Sequence, residues 1–309
     1  MMKKIKNLII ILLLVFVLIS MIIFSNITIN SVLNSVNICI YNLFPAMIPF
    51  FIISELLINY GFVEIMAFLL RPIMKHLFHL NENCAYIIIL SMLSGTPANA
   101  KYVKELLNNK KIGIKDANKI LLFSHFVNPI FIIGTVGQMY LGNKKLGIII
   151  LISGYITNLI VGIFLRDEKV KAVEDVKLNR KTNLKNKSFI SVLKSSIVNT
   201  SKTLVIVFGI ITSCIVFSNI LNAYFKFNPL LNGILEITNG LNYVGVSNIK
   251  IIFKIILSSF YLNFGGLSIH AQVFSILDNK KIRYLPYLEA RVISGILSSS
   301  ISIIIYSFI

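Results

Sequence analysis

Apolar runs, most close to the length needed to cross a bilayer, alternate with short polar loops along nearly all of this chain. Runs of about 20 apolar residues predict membrane helices, because a helix satisfies every backbone group within its own segment. Leu8 to Phe24 follows a basic start and is longer than a signal-peptide core. The residues after it, 25-SNITINSVLNSV-36, offer no small-x-small cleavage site, so it reads as an anchor. Ile38 to Ile58 contains Pro45 and Pro49, each of which removes a backbone donor and clashes with the preceding turn, so a break or bend is expected there. In 61-GFVEIMAFLLRPIMKHLFHL-80, Glu64, Arg71, Lys75 and His76 interrupt the apolar positions at helical spacing, which predicts an interfacial amphipathic helix.

Residues 84 to 107 carry Ser94-Gly95-Thr96-Pro97 in their middle and read as a re-entrant hairpin. Residues 118 to 141 form a span broken at Asn128-Pro129, and 146 to 165 form an unbroken one. After a charged stretch come a span at 203 to 224, an amphipathic stretch 230-LLNGILEITNGLNYV-244, a second hairpin at 249 to 278 and a last span at 285 to 308. The second tip is Phe264-Gly265-Gly266-Leu267-Ser268. The stretches 91-SMLSGTPANAKYVKELLNNKKI-112 and 261-YLNFGGLSIHAQVFSILDNKKI-282 match at a constant offset, Gly95 on Gly265 and Asn-Lys-Lys-Ile on Asn-Lys-Lys-Ile. The expected fold is therefore an all-α polytopic membrane protein with two internal repeats, each with a broken or re-entrant helical hairpin. Its domains are an anchor at 1–30, a first repeat at 31–165, a basic cytoplasmic linker at 166–190 and a second repeat at 191–309. With the linker inside, the two hairpins face each other from opposite sides, which leaves Lys250, Lys254, Lys280, Lys281 and Arg283 outside, against the usual charge bias; a parallel arrangement removes that conflict.

Composition agrees with a membrane protein. Of 309 residues, 56% are hydrophobic and 14% charged, against about 25% charged in a soluble domain. The net charge of +18 lies largely in loops between spans, as in 166–187 with eight Lys or Arg residues; this retains loops in the cytoplasm and attracts anionic lipid. There is no nucleic-acid motif, so no nucleic-acid partner is expected. Cys39, Cys84 and Cys214 are isolated in apolar surroundings and read as packing residues. No His-Glu-x-x-His, Gly-x-Ser-x-Gly or phosphate-binding loop occurs, so neither enzyme activity, a cofactor nor a metal site is expected.

An unwound tip within a membrane offers free N–H groups and helix N-termini to a polar solute. The solute-binding candidates are Ser94, Gly95, Thr96 and Asn99 at the first tip, with Lys101 just beyond, and Gly265, Gly266, Ser268, His270 and Gln272 at the second. Such small and polar residues also mediate plain helix packing. Asn128, before a proline with His125 one turn earlier, is a further candidate. Glu55, Glu64, Glu236 and Glu289 lie in or beside apolar sequence, where a carboxylate is expensive; Glu236, with Thr238 and Asn239, is the solute-binding candidate among them.

The succession 54-SELLINYGF-62, 69-LLRPIMKHLF-78, 91-SMLSGTPANAK-101, 128-NPIF-131, 235-LEITNGL-241, 264-FGGLSIHAQV-273 and 283-RYLPYLEAR-291 resembles the sporulation integral membrane protein YlbJ family, of the Gate-domain or nucleoside recognition group. The resemblance covers nearly the whole chain after the first span. Thr96 and Asn99 depart from the family's usual Ser-Gly-Tyr/Phe-Pro-x-Gly-Ala-Lys. It implies two Gate-like repeats in a multi-pass protein of the cell membrane, needed for spore formation and distantly similar to concentrative nucleoside transporters. Two functions follow from it: a transporter or channel component for a small polar, nucleoside-like solute, or a non-transporting scaffold of the spore envelope machinery. Expected partners are the bilayer, the solute, and further copies or other sporulation membrane proteins.

Overall fold

The computed structural model describes residues 2–165, 188–226 and 231–308, which are helical apart from turns and breaks. The charged stretch 166–187 lies outside the described residues. Five helical runs among those described are long and apolar enough to cross a membrane: Ser25–Asn59, Lys144–Phe164, Phe189–Phe225, Ile251–Leu277 and Tyr284–Ser307. The chain is a multi-pass, all-helical membrane protein.

After α1 (Met2–Ile23), the second run begins at Ser25 rather than Ile38. Helix α2 (Ser25–Asn37) passes through a π-helical stretch, Ile38–Leu43, into α3 (Phe44–Asn59). The two prolines do not break this run. Pro45 falls in the first turn of α3, directly after the widened stretch, and Pro49 sits inside a helix that continues past it. The partner of this run is α9 (Phe189–Phe225), which starts well before residue 203. Its 37 residues reach about 55 Å, far more than the hydrocarbon core of about 30 Å. The two lie antiparallel: Asn199 Nδ2 donates to Glu55 Oε1 at 2.5 Å, and Asn219 Nδ2 to Ser31 Oγ at 2.8 Å.

After α4 (Phe62–Pro72), helices α5 (Cys84–Ser94) and α6 (Ala98–Asn108) fold back on each other, as expected of a re-entrant hairpin. Both its arms reach one end of the molecule, where Asn83 Nδ2 donates to Lys111 O at 2.9 Å. From there α7 (Ile114–Phe123) enters, unwinds over residues 124–128, and resumes towards the π-helix Phe131–Tyr140. The break therefore begins four residues before Asn128 and ends at the expected Asn128-Pro129 step. Helix α8 (Lys144–Phe164) returns to the first end, its Gly162 against Phe78 and Phe123.

The second half departs from the sequence reading. Helices α12 (Ile251–Phe264) and α13 (Gly266–Leu277) do not pack on each other as a hairpin; they form one through-going helix broken at Gly265. Helix α12 runs antiparallel to α14 (Tyr284–Ser307), with Ser299 Oγ donating to Ile256 O at 2.9 Å and Arg291 Nη1 to Asn263 O at 3.3 Å. Helix α13 then continues towards the start of α14, so His270 and Phe274 meet Tyr284. The hairpin of this half is instead the amphipathic stretch: α10 (Asn232–Leu235) and α11 (Ile237–Val246) fold on each other with Glu236 at the turn. It enters from the opposite end, where Gly245 abuts Tyr140. Two hairpins do face each other from opposite sides, but the second is α10–α11. The match of 91–112 with 261–282 therefore pairs a hairpin with a through-going helix.

This path brings Lys280, Lys281 and Arg283 to the end that holds Lys110, whereas Lys250 and Lys254 stay at the opposite end, where Lys254 Nζ donates to Gly245 O at 2.7 Å. Asn118 Nδ2 donates to Lys281 O at 3.2 Å and its Oδ1 accepts from Arg283 N at 2.8 Å. The basic loops around Lys110 and Lys281 thus share one end with Arg71 and Lys75, which pair with Glu82. By the positive-inside bias this basic end is expected on the cytoplasmic side. Accordingly, single cysteines at Lys110 and Lys281 should react with an impermeant thiol reagent only in inside-out vesicles, and one at Lys145 only in intact cells. Labelling of Lys110 and Lys281 from opposite faces would contradict the path described.

Candidate functional site

Three elements interrupt their helices at the same depth, and the chain at each interruption is chosen for close approach. Gly95 has φ +80°; a Cβ there would press on the Asn128 backbone nitrogen and lie 2.9 Å from its Cα. Gly265 has φ +91°; a Cβ there would lie 2.6 Å from the His125 ring. Both positions therefore require glycine on two counts, backbone conformation and space. The unwound segment 124–128 is held between them: Thr96 N donates to Phe126 O at 2.8 Å. Each hairpin tip thus packs on the break of the helix that follows it, Thr96 on 124–128 and Ile237 on Gly266.

Asn128 fastens this junction. Its Oδ1 accepts from Ile130 N at 2.8 Å and Phe131 N at 3.2 Å, capping the next helical stretch, while Nδ2 donates to Ser94 O at 3.2 Å and Ala46 O at 3.3 Å. Glu236 plays the same part at the other tip. It is 1% exposed. Its Oε2 caps α11 by accepting from Asn239 N at 2.9 Å and also accepts from the Thr238 hydroxyl, whereas Oε1 has no protein partner among the described residues.

Between the two tips lies a small cavity of about 50 Å³, room for a few water molecules as it stands. Its polar lining comes from Thr96, Asn128, Glu236, Thr238 and Gln272, and its apolar walls from α3, α9 and the π-helix, among them Met47, Ile211 and Phe131. The Thr96 hydroxyl is buried without a hydrogen-bond partner. Residues from both halves of the chain thus reach one space. One carboxylate, two carboxamides and two hydroxyls line it against aliphatic and aromatic walls.

The remaining candidates frame this space. Ser94 receives the Tyr102 hydroxyl at 2.9 Å and donates to Leu90 O. Asn99 points behind the tip, to Ser124 Oγ at 3.3 Å. Asn239 contributes its backbone N–H to Glu236. Gly265 and Gly266 form the break in α12–α13. Ser268 is fully buried off the cavity lining. His270 lies between Phe264 O, 2.8 Å from Nε2, and the Tyr284 hydroxyl, 3.2 Å from Nδ1.

Three buried charges form two further centres. Arg291 of α14 is 0% exposed; its guanidinium donates to Leu122 O, Asn263 O and Asn158 Oδ1. Lys101 and Glu55, each 6% exposed, pair at 2.8 Å. Arg291 was not singled out from the sequence, although an arginine within the apolar run 285–308 is itself a signal.

Opposed hairpins, broken spans and a polar cavity between them define a multi-pass membrane protein with its polar groups gathered at helix breaks, and residues 40–227 match the family model described as Gate: Nucleoside recognition. The match runs from the π-helical stretch before α3 to the end of α9. The chain belongs to the family of the sporulation integral membrane protein YlbJ of Bacillus subtilis (strain 168), to which it is 30% identical over 82% of its own length and 71% of that protein's. No solved structure matches it.

The geometry at the breaks predicts a sharp contrast between glycines. Gly95→Ala and Gly265→Ala should each lower stability by about 2 kcal/mol or more, while Gly134→Ala, where nothing lies within 4 Å, should be neutral or slightly stabilising. Thermal unfolding in detergent checks this; equal melting temperatures for all three would contradict the packing at the breaks.

Proposed function

We propose that this chain moves a small polar solute across the membrane through the cavity between the α5–α6 and α10–α11 tips, acts as a transporter rather than an enzyme, and does so in spore formation. The observation that carries the reading is the free Oε1 of Glu236, buried at a hairpin tip and opening on a cavity that Thr96 and Gln272 also line. An acceptor held at that depth has a use when a solute brings hydrogen-bond donors to it. Broken helices at mid-membrane suit a site reached from either side, because each half can pivot about the breaks. The description of the matching family model and the name of the Bacillus relative support a nucleoside-like solute and a sporulation role respectively.

Chemistry narrows the solute. A carboxylate in a low-dielectric cavity repels anions and favours hydroxyl, amino or imino donors. Purified protein screened by thermal shift should be stabilised by nucleosides such as uridine or adenosine and not by dipicolinate. In proteoliposomes, uptake of the stabilising solute should have a KM raised by about tenfold or more in Glu236→Gln, the size expected for one charge-assisted hydrogen bond. Stabilisation by dipicolinate alone, or unchanged uptake in Glu236→Gln, would count against the proposal.

A further inference from the structure

Three helices lead from the cavity to the basic end, and a plug of side chains lies between them. On α3, Met47 lines the cavity, Phe51 follows one turn on and Glu55 one turn after that. On α6, Pro97 lines the cavity just before the helix starts and Lys101 follows one turn on. On α9, which runs the other way, Val207 lines the cavity and Asn199 lies about two turns nearer the basic end. Lys101 Nζ lies 2.8 Å from Glu55 Oε2 and 5.4 Å from the centre of the Phe51 ring. Asn199 donates to the other Glu55 oxygen at 2.5 Å. Phe51, Lys101 and Glu55 therefore fill the route from the cavity to the basic end, and one carboxylate ties all three helices.

A plug that only had to stay shut would not need charge. A buried ion pair is commonly no more stabilising than apolar side chains of similar volume, because both charges give up their hydration. What the charges add is ease of opening. Parting two apolar side chains exposes them to water, which is unfavourable, whereas parting an ammonium from a carboxylate gives each back the hydration it lost on burial. Closed and open arrangements are thereby brought close in free energy, as a two-state element requires. We propose that the Glu55–Lys101 pair is the gate of the cavity on the side of the basic end, opening when α6 parts from α3 and water enters between them. No proton transfer enters this step. The role rests on the transport reading above: the pair governs access to the cavity and takes no part in holding the solute.

The neighbouring ties differ in kind. Tyr86 of α5 joins α3 by a neutral bond, its hydroxyl donating to Ser54 O at 2.9 Å. Lys104 joins α6 to α13, donating to Ile276 O at 2.8 Å. Lys111 pairs with Glu64 at 2.5 Å, but both of those side chains are already partly exposed at the basic end, so that pair closes nothing. Glu55 and Lys101 are the pair set across the route itself.

The test needs no solute, so it stands apart from the identity of what is moved. In a background with Cys39, Cys84 and Cys214 replaced by Ala, Thr96→Cys reports the cavity and Lys281→Cys reports the exposed loop at the basic end. Inside-out vesicles are treated with an impermeant methanethiosulfonate reagent, and the labelling rate at position 96 is divided by that at 281. Glu55→Gln leaves the Lys101 ammonium buried without its counter-charge in the closed arrangement only, so the ratio should rise about tenfold or more. Glu55→Met combined with Lys101→Met keeps a plug and removes the charge; the ratio should fall about tenfold, with a melting temperature at or above that of the parent. A pair that served packing alone would leave the ratio of this double variant where it was. An unchanged ratio in either variant would overturn the proposal, and Glu55→Gln decides alone should the double variant fail to insert. Ratios that shift as expected with no nucleoside uptake by the parent would leave the gate standing and reject the nucleoside reading.

Discussion

A helix interrupted in the middle of a bilayer exposes backbone carbonyls and N–H groups that lipid cannot satisfy, and the rest of this structure is arranged around that demand. Arg291 meets much of it. Its guanidinium reaches Leu122 O at the end of α7 and Asn263 O at the end of α12, the last turns before the two breaks. A buried cation without a carboxylate is ordinarily costly. Here the negative ends of two helix dipoles and the Asn158 carbonyl stand in for an acid, and the planar fork of donors suits several acceptors at once. Asn158 in turn donates to His125 O at 2.8 Å, so the unwound segment is tied to the same centre.

On the other side of the breaks the need is for acceptors. Asn128 and Glu236 supply them as caps for the helical stretches that restart after the first break and after the second tip. The same side chains line the cavity. Structural and solute-binding demands thus fall on the same residues: a cap with one oxygen committed to backbone and another left free is both a support and a site. Glu236 is the clear case, because its committed oxygen fixes the position of its free one.

The charged groups divide along the same axis. Arg291 sits on the α8–α12–α14 side, where Ser153, Asn263 and Ser298 continue a polar seam, with Asn263 Nδ2 donating to Ser298 Oγ at 2.8 Å. Glu55 and Lys101 sit across the cavity, where the first hairpin meets α3 and α9. The two centres differ in kind. Arg291 engages backbone carbonyls and the Asn158 amide, whereas Lys101 is paired directly with the Glu55 carboxylate.

Much was legible in the chain itself. Run length and low charge set the class, since a stretch such as Tyr284–Ser307 must lie in lipid or core and a bilayer explains so many of them. Glycines and Asn-Pro marked where helices stop, because those residues stop helices wherever they occur; hence Gly95, Gly265 and Asn128 were found at breaks, and Thr96, Glu236 and Gln272 at the cavity. What the sequence did not carry was direction. The turn after Gly265 and the turn at Glu236 look alike as interruptions, and nothing local says that the first continues across the membrane while the second doubles back. That was decided by partners far away in sequence: α14 aligns α12 along its length, and Tyr261 and Gly233 pack tightly enough to fold α10 onto α11. Local backbone chemistry sets where a helix ends, whereas only long-range packing decides where the chain goes next.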